Sequence, residues 1–277
     1  MIALMETTTW QVPRLWRMLL PLARVIAFPL CRLRVSGEVP EHLRGGPLIL
    51  AMNHVSPFDP LVMAAACHQV GLAPRVMATG GLFDAPVIGS LMRACGHIRV
   101  DRNTHRVADA LPAAARALQQ GAVVMVYPEG RIGLDPWMWP ERGKTGVARM
   151  AALSGAPVLA VAQWGAHAVL PYEAPKRAGR ALLKAVLRRP QVQVRFGAEV
   201  AVGAVTGAPG ARAMRATHLI MEAIDEALTP LRAGEMQTPA VVDRSRPHDM
   251  SRVRRRRACS CSGAPVGHGV GDGGGQS

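Results

Sequence analysis

The sequence predicts a single α/β domain between an apolar, basic N-terminal segment and a disordered C-terminal tail, and three observations predict it. From Arg34 onward, short apolar runs alternate with helical stretches, the pattern expected of βαβ units. The 277 residues suffice for one sizeable domain with a core, and not for two ordinary ones. Hydrophobic residues make up 49% of the chain but aromatics only 4%, so the core must be built from Ala, Val, Leu, Ile and Met. The boundaries are placed at residues 1–33, 34–232 and 233–277.

The segment from Leu15 to Val35 is apolar but interrupted by Arg17, Arg24, Arg32 and Arg34. No stretch in it approaches the roughly 20 apolar residues of a spanning helix, and Pro21 and Pro29 are expected to break any long helix. It reads as a segment lying in a membrane interface, with Trp10 and Trp16 near headgroup level and arginines facing lipid phosphates. A helix pair packed on the domain stays open as the alternative. No small-residue cleavage site follows the apolar region, so it is not read as a signal peptide.

Strands are expected at Pro47–Met52, Arg75–Ala78, His97–Val100, Ala122–Tyr127, Pro157–Gln163 and Val192–Phe196. Helices are expected at Pro57–Val70, Pro86–Cys95, Thr104–Gln120, Gly146–Ser154 and Ala211–Thr229. In the third helix Val107, Leu111, Ala114 and Leu118 share one face and Gly121 is a suitable stop, although Pro112 interrupts the pattern. After about residue 233 apolar periodicity disappears into RVRRRRACSCSG and a Gly-rich end, so residues 233–277 are expected to be disordered.

The net charge is +14. Seven Arg against four carboxylates in residues 233–277 leave +11 on the remainder, which suits lipid headgroups, phosphorylated substrates or nucleic acid. Cysteines at 31, 67, 95, 259 and 261 form no CxxC pair and no zinc-like cluster. Neither a metal nor a disulfide framework is therefore expected, and the chain reads as belonging to a reducing compartment.

The stretch PLILAMNHVSPFDP combines a buried-strand run with a His and, five residues later, a carboxylate. Ser56, Pro57 and Asp59 fall where an N-cap and the first and third helical positions would sit. That places His54 on the strand-to-helix loop, with Asp59 able to reach back to it. An imidazole held by a carboxylate is poised as a general base, because the carboxylate fixes its tautomer and stabilises the imidazolium formed on proton abstraction. Read alone, the pair is equally a capping Asp and a His bonded to backbone.

NHVSPFD, at residues 53–59, resembles the NHxxxxD signature of glycerolipid acyltransferases, in particular the 1-acylglycerol-3-phosphate acyltransferase group. GHIRVDR (96–102), VYPEGRIG (126–133) and APVLAVA (156–162) are similar to the family's further blocks, in the same order. The resemblance covers roughly residues 34–230. It implies a glycerolipid-acyltransferase-like domain with a central β-sheet flanked by helices. His54 would take the proton of an acceptor hydroxyl, Asp59 would orient it, and the acyl thioester would be attacked directly.

The resemblance also implies that Arg102 binds the acceptor's phosphate through its planar fork, unless it only pairs with Asp101 or another carboxylate. Glu129 would hold the glycerol portion or order nearby cations, unless it simply pairs with Arg131 or Lys144, and Gly130 would permit close approach or an unusual backbone angle. Lys144 at a helix start would help bind an anion, or sit in a solvated basic loop. Tyr127 stands where the family has Phe, and Arg131 follows Gly130 directly, so whether Arg131 binds phosphate is open.

The implied partners are membrane phospholipids, lysophosphatidic acid as acceptor, and acyl-CoA or acyl-carrier protein as donor substrate, with no other cofactor. The implied location is the cytoplasmic face of the cell membrane, peripheral or monotopic. Other lysophospholipids or glycerol 3-phosphate remain alternative acceptors, and a non-catalytic lipid-binding protein is the alternative class. Specific nucleic-acid binding is not expected, because no reading motif accompanies the basic charge and the few aromatics offer little base stacking.

Overall fold

The computed structural model describes residues 10–101 and 107–252. The strands are β1 (Arg32–Ser36), β2 (Leu48–Met52), β3 (Arg75–Thr79), β4 (Ile98–Val100), β5 (Val123–Val126), β6 (Val158–Trp164) and β7 (Gln191–Val200). The helices are α1 (Arg14–Leu30), α2 (Asp59–Gln69), α3 (Gly80–Asp84), α4 (Pro86–Ala94), α5 (Val107–Gln119), α6 (Gly146–Ser154), α7 (Ala166–Val169), α8 (Ala174–Arg188) and α9 (Pro209–Leu228).

The seven strands form one sheet in the order β1-β7-β6-β2-β5-β3-β4. All neighbours run parallel except β6 and β7. The central strands β2 and β6 are buried on both faces, which is why LILAM and VLAVAQW read as continuous apolar runs instead of alternating ones. On one face Leu48, Leu50 and Met52 meet α1, α2 and α7. On the other Ile49 and Ala51 meet α5, α6 and α9. The domain is thus a three-layer α/β structure, and its second layer of helices is built largely from Ala, as in Ala114, Ala117, Ala148, Ala213 and Ala216.

Every expected strand from β2 onward is present, as are the expected helices, Gly146–Ser154 with its expected ends and the others with shifted ones. Four elements were unassigned, the short α3 and α7 among them. β1 lies within the segment read as membrane-interfacial and pairs with β7, its RLRVS alternation placing arginines along a sheet edge. The strongly basic and apolar α8 was also unassigned.

Helix α1 corrects the expectation that Pro21 and Pro29 would break it: both prolines lie inside one 17-residue helix. Each interior proline costs about 3 kcal/mol in an isolated helix. Tertiary packing offsets that cost here, because Trp16, Leu20 and Ala23 are buried with Ala64 and Ala65 of α2, and Ala27 on the same face joins the core cluster that holds Met63 and Ala66. Trp16 also donates its indole N–H to the Pro74 carbonyl at 3.0 Å. Both prolines are on the exposed side.

The expectation of disorder from residue 233 is corrected as far as residue 252. Residues 233–252 are ordered against the rest of the domain, with Asp243 and Arg246 buried. The RRRR run and the Gly-rich end lie outside the described residues, as do Cys259 and Cys261.

Candidate active site

Parallel β2 and β5 are neighbours, with Ala51 opposite Val126, so the loops leaving their carboxyl ends emerge side by side. One carries Asn53, His54 and Val55; the other carries Tyr127, Pro128 and Glu129. β6 flanks β2 on its other side and ends at Trp164.

Asn53 locks the first loop to the end of β6. Its side-chain oxygen accepts from Gln163 N at 2.8 Å, its amide donates to the Gln163 carbonyl at 2.9 Å, and its own carbonyl accepts from Gln163 Nε2 at 3.0 Å. The motif's Asn is thus a positioning group for the residue that follows it, a role the spacing did not reveal.

His54 Nδ1 donates to Asp59 Oδ2 at 2.7 Å. The same oxygen accepts the backbone N–H groups of Val55 and Ser56 at 2.6 and 2.8 Å. Asp59 is fully buried, whereas the His54 side chain is 14% exposed. The carboxylate therefore orients the ring and shapes the loop at once. With Nδ1 occupied, Nε2 is the ring atom left to take a proton. Tyr127 stacks on the imidazole, with ring centroids 4.0 Å apart and planes inclined by 18°. The aromatic at this position therefore serves as a ring support, which a phenyl would also supply.

The local geometry corrects the expected cap. Ser56 is not the N-cap of α2, because the helix starts at Asp59 and Phe58 precedes it. Ser56 Oγ instead accepts from Phe58 N at 3.0 Å and donates to the Leu170 carbonyl at 2.7 Å. The turn through Ser56–Phe58 is used to bring Asp59 back under the loop, so the helix begins two residues later than expected.

Glu129 is buried, and both of its oxygens are taken by backbone: His54 N at 3.1 Å and Glu141 N at 2.8 Å. Gly133 N returns a bond to the His54 carbonyl at 2.8 Å. Glu129 therefore ties the two loops together. Gly130 has φ +69° in the turn closed by Gly130 N to the Tyr127 carbonyl, a conformation that favours glycine, and the Lys144 stem passes over it.

Arg131 pairs with buried Glu141, with Nη2 3.1 Å from Oε2, and also donates to the Met250 carbonyl. Arg131, whose role the sequence left open, thus has an internal carboxylate as partner while its side chain stays 27% exposed. Lys144 is exposed beside Gly130 and donates its backbone N–H to the Pro128 carbonyl. Arg102 lies outside the described residues. Asp101, its expected alternative partner, is engaged by Arg99 Nε at 2.8 Å, and Arg99 also pairs with Asp84.

Burial pushes the Glu129 carboxyl up from its ordinary 4.5 to about 7, outweighing the backbone N–H groups of Glu141 and His54 that favour its anion. The folded protein then holds this proton more tightly than the unfolded chain. The stability it contributes is fully present below pH 4.5 and is lost as pH rises through about 7. Half-buried His97 and buried His167 act in the opposite sense, pushed down to about 4 and about 3, so the comparison must be made against a variant that shares them. The stability of wild type minus that of Glu129→Gln, from urea unfolding, is expected to fall by about 3 kcal/mol between pH 4.5 and 8. A difference that stays constant with pH would show that Glu129 is already ionised throughout.

No described cysteine competes for the role of nucleophile. Burial pushes all three described thiols up, Cys67 to about 12 and Cys31 to about 11, with Cys95 raised as well, and so disfavours the thiolate a nucleophile needs. A cavity of about 770 Å³ is bounded by Ala156, Pro157, Val200, Val202 and Ala213, at the amino end of β6. It lies at the opposite end of β6 from the carboxyl strand ends that carry His54.

The acyltransferase family model matches residues 32–164, a span that holds β1 through β6 and every residue of the His54 and Glu129 loops. An uncharacterized protein of Mycobacterium tuberculosis is 30% identical over 162 residues, covering 54% of this chain and 42% of that protein. A chloroplastic 1-acyl-sn-glycerol-3-phosphate acyltransferase of Brassica napus is 25% identical over 161 residues, covering 58% of this chain and 43% of that protein. The chain thus spans less than half the length of these curated relatives. Among solved structures, the 1-acyl-sn-glycerophosphate (LPA) acyltransferase PlsC of Thermotoga maritima superposes with a TM-score of 0.56 at 18% identity. It covers 76% of this chain and 78% of that one, a likeness of fold.

Proposed function

We propose, from the acyltransferase family model that matches residues 32–164 and the geometry of the His54 site, that the chain transfers a fatty acyl group from a thioester donor to the free hydroxyl of a lysophospholipid. The acceptor we assign is 1-acyl-sn-glycerol 3-phosphate, giving phosphatidic acid, with acyl-CoA or acyl-carrier protein as donor. The observation that carries this reading is the 2.7 Å bond from His54 Nδ1 to buried Asp59, which leaves Nε2 as the proton acceptor on a partly exposed ring.

The proposed chemistry needs no covalent enzyme intermediate. His54 Nε2 takes the acceptor's hydroxyl proton as the oxygen attacks the thioester carbon. The C–O bond forms, the C–S bond breaks, and the imidazolium returns the proton to the departing thiolate. Asp59 stabilises the imidazolium between those steps. Cationic groups for the acceptor's phosphate are assigned to Lys144 and Arg102, since Arg131 is held by Glu141.

A lipid acceptor implies work at a bilayer surface, and the distribution of apolar side chains supports this. No helix among the described residues is long and apolar enough to cross a membrane. The outer side of α1 nevertheless leaves Met18, Val25 and Phe28 65–72% exposed, and α8 leaves Leu183 and Leu187 62–77% exposed. Exposed Arg17, Arg24, Arg180 and Arg188 surround them. An amphipathic face ringed by cations fits insertion into the headgroup layer of an anionic membrane.

The test is acyl transfer by purified protein on anionic vesicles, with acyl-CoA and acyl-carrier protein each offered against a panel of lysophospholipids and glycerol 3-phosphate. Formation of phosphatidic acid from lysophosphatidic acid is the expected result. Transfer only to another acceptor would change the substrate and keep the chemistry, while transfer to none would favour a lipid-binding protein.

A further inference from the structure

Residues 233–252 lie outside the family match, yet they run directly over both loops of the site. The segment is anchored at its start by Arg232, whose guanidinium is sandwiched between Trp139 and Trp164, 4.2 Å from each ring centroid. Trp164 Nε1 in turn donates to the Glu235 carboxylate and Trp139 Nε1 to the Met236 carbonyl. Further on, Asp243 accepts from Tyr172 N at 2.7 Å and from Ser245 Oγ at 2.6 Å.

Arg246 has a fully buried side chain paired with Asp243 at 3.4 Å. Its Nη1 donates to the Gly133 carbonyl at 2.7 Å, and its Nη2 donates to the Val55 carbonyl. Val55 is the residue after His54, and Gly133 is the residue whose own N–H holds the His54 carbonyl. Past it, Arg131 donates to the Met250 carbonyl, and Arg252 gives its backbone N–H to the Glu141 carboxylate and Nη2 to the Glu129 carbonyl at 2.9 Å.

We infer that residues 233–252 form a clasp that holds the His54 loop and the Glu129–Gly133 loop in register, with Arg246 as its positioning residue. The inference rests on the acyl-transfer reading for what that register serves. Neither loop has regular secondary structure, so each backbone is placed by its tethers. A guanidinium is suited to the junction because its rigid fork reaches two carbonyls and a carboxylate together, whereas an ammonium is a single point charge. Asp243 makes the burial of that charge tolerable. A shift of the His54 backbone by a fraction of an ångström moves Nε2 relative to the acceptor hydroxyl, and misplacement on that scale lowers turnover more than substrate binding.

The experiment combines two readouts on the full chain. In the wild type, hydrogen exchange resolved at the amides of Tyr172, Ser245 and Arg252 is compared with that at Val55, Ser56 and Gly133 over a urea series. The clasp requires the two groups to open as one unit, with parallel dependence on urea. Clasp amides that open while the loop amides stay protected would overturn it, whether or not the protein proves to be an acyltransferase.

In the variants Arg246→Gln and Arg246→Lys, kcat and KM are measured with thermal unfolding. Arg246→Gln is expected to lower kcat on the order of 100-fold, with a much smaller change in KM. Arg246→Lys is expected to recover part of the loss, since it retains the charge beside Asp243. Equal kcat in wild type and Arg246→Gln would refute the positioning role while leaving the acyl-transfer reading intact. Failure of Arg246→Gln to fold would leave the decision to the wild-type exchange and to Arg246→Lys. An inactive wild type with coupled opening would remove the acyl-transfer reading and keep the clasp.

Discussion

His54→Ala is expected to lower kcat for acyl transfer by about 10³- to 10⁴-fold, the loss typical of removing a positioned general base. The fold should survive, because the tethers of the loop do not depend on the imidazole. Asn53 stays bonded to Gln163, Asp59 keeps the N–H groups of Val55 and Ser56, and Glu129 keeps the N–H of residue 54. Losing a partly exposed ring that stacks on Tyr127 should change stability by about 1 kcal/mol. Steady-state kinetics together with thermal unfolding separate the two effects. Retention of a tenth or more of wild-type activity by a folded His54→Ala protein would remove His54 from the chemistry.

Asp59→Asn is the second change with a large expected effect, and it acts through His54. The amide oxygen is able to occupy the place of Oδ2 and accept from His54 Nδ1, Val55 N and Ser56 N, so the loop geometry has an isosteric substitute. What the amide lacks is the negative charge that stabilises the imidazolium while it carries the acceptor's proton. A loss in kcat on the order of 10²- to 10⁴-fold is expected, with little change in KM. Stability should fall by about 1–3 kcal/mol, because a charged acceptor of three hydrogen bonds is replaced by a neutral one in a buried position. Kinetics of Asp59→Asn within about threefold of wild type would show that the carboxylate only shapes the loop. That outcome would leave His54 without an electrostatic partner.

The His54–Asp59 pair was legible because its geometry is local. A strand ending at Met52, a turn and a helix start leave few ways for a carboxylate five residues on to miss the ring. The same locality made Gly130 legible as a residue needing an unusual backbone angle, since the turn that demands φ +69° lies within its own block. Locality also misled, because Ser56 and Pro57 match an N-cap and first helical position but serve a turn that the buried Asp59 organises.

Glu129 illustrates the limit. Its identity marked it as functional, and a glycerol or cation contact was the expected role. Its two oxygens instead hold backbone N–H groups 75 and 12 residues away. Which main-chain donors face a buried carboxylate leaves no trace in residue types, because every non-proline residue carries the same donor. For the same reason Arg131 was open until its guanidinium was found on Glu141.

The effect of Pro21 and Pro29 and the order of the segment after residue 233 were misread for two different physical reasons. Pro21 and Pro29 lower the intrinsic stability of α1, and propensity reasoning stops there. The helix persists because Trp16, Leu20, Ala23 and Ala27 recur on one face that α2 buries.

Residues 233–252 lack apolar periodicity, so no amphipathic face announces them. They are held by hydrogen bonds and anchored at their start by the stacked Arg232, with Arg246 reaching carbonyls 191 and 113 positions away. Residue type and short-range spacing were enough to establish the α/β class, the central strands and the His54–Asp59 pair, because propensity, periodicity and turn chemistry act over a few residues. The roles of Asn53, Glu129, Arg131 and Arg246 emerged only from packing, because each is bonded to main-chain or charged groups that the folded topology alone brings within 3–4 Å.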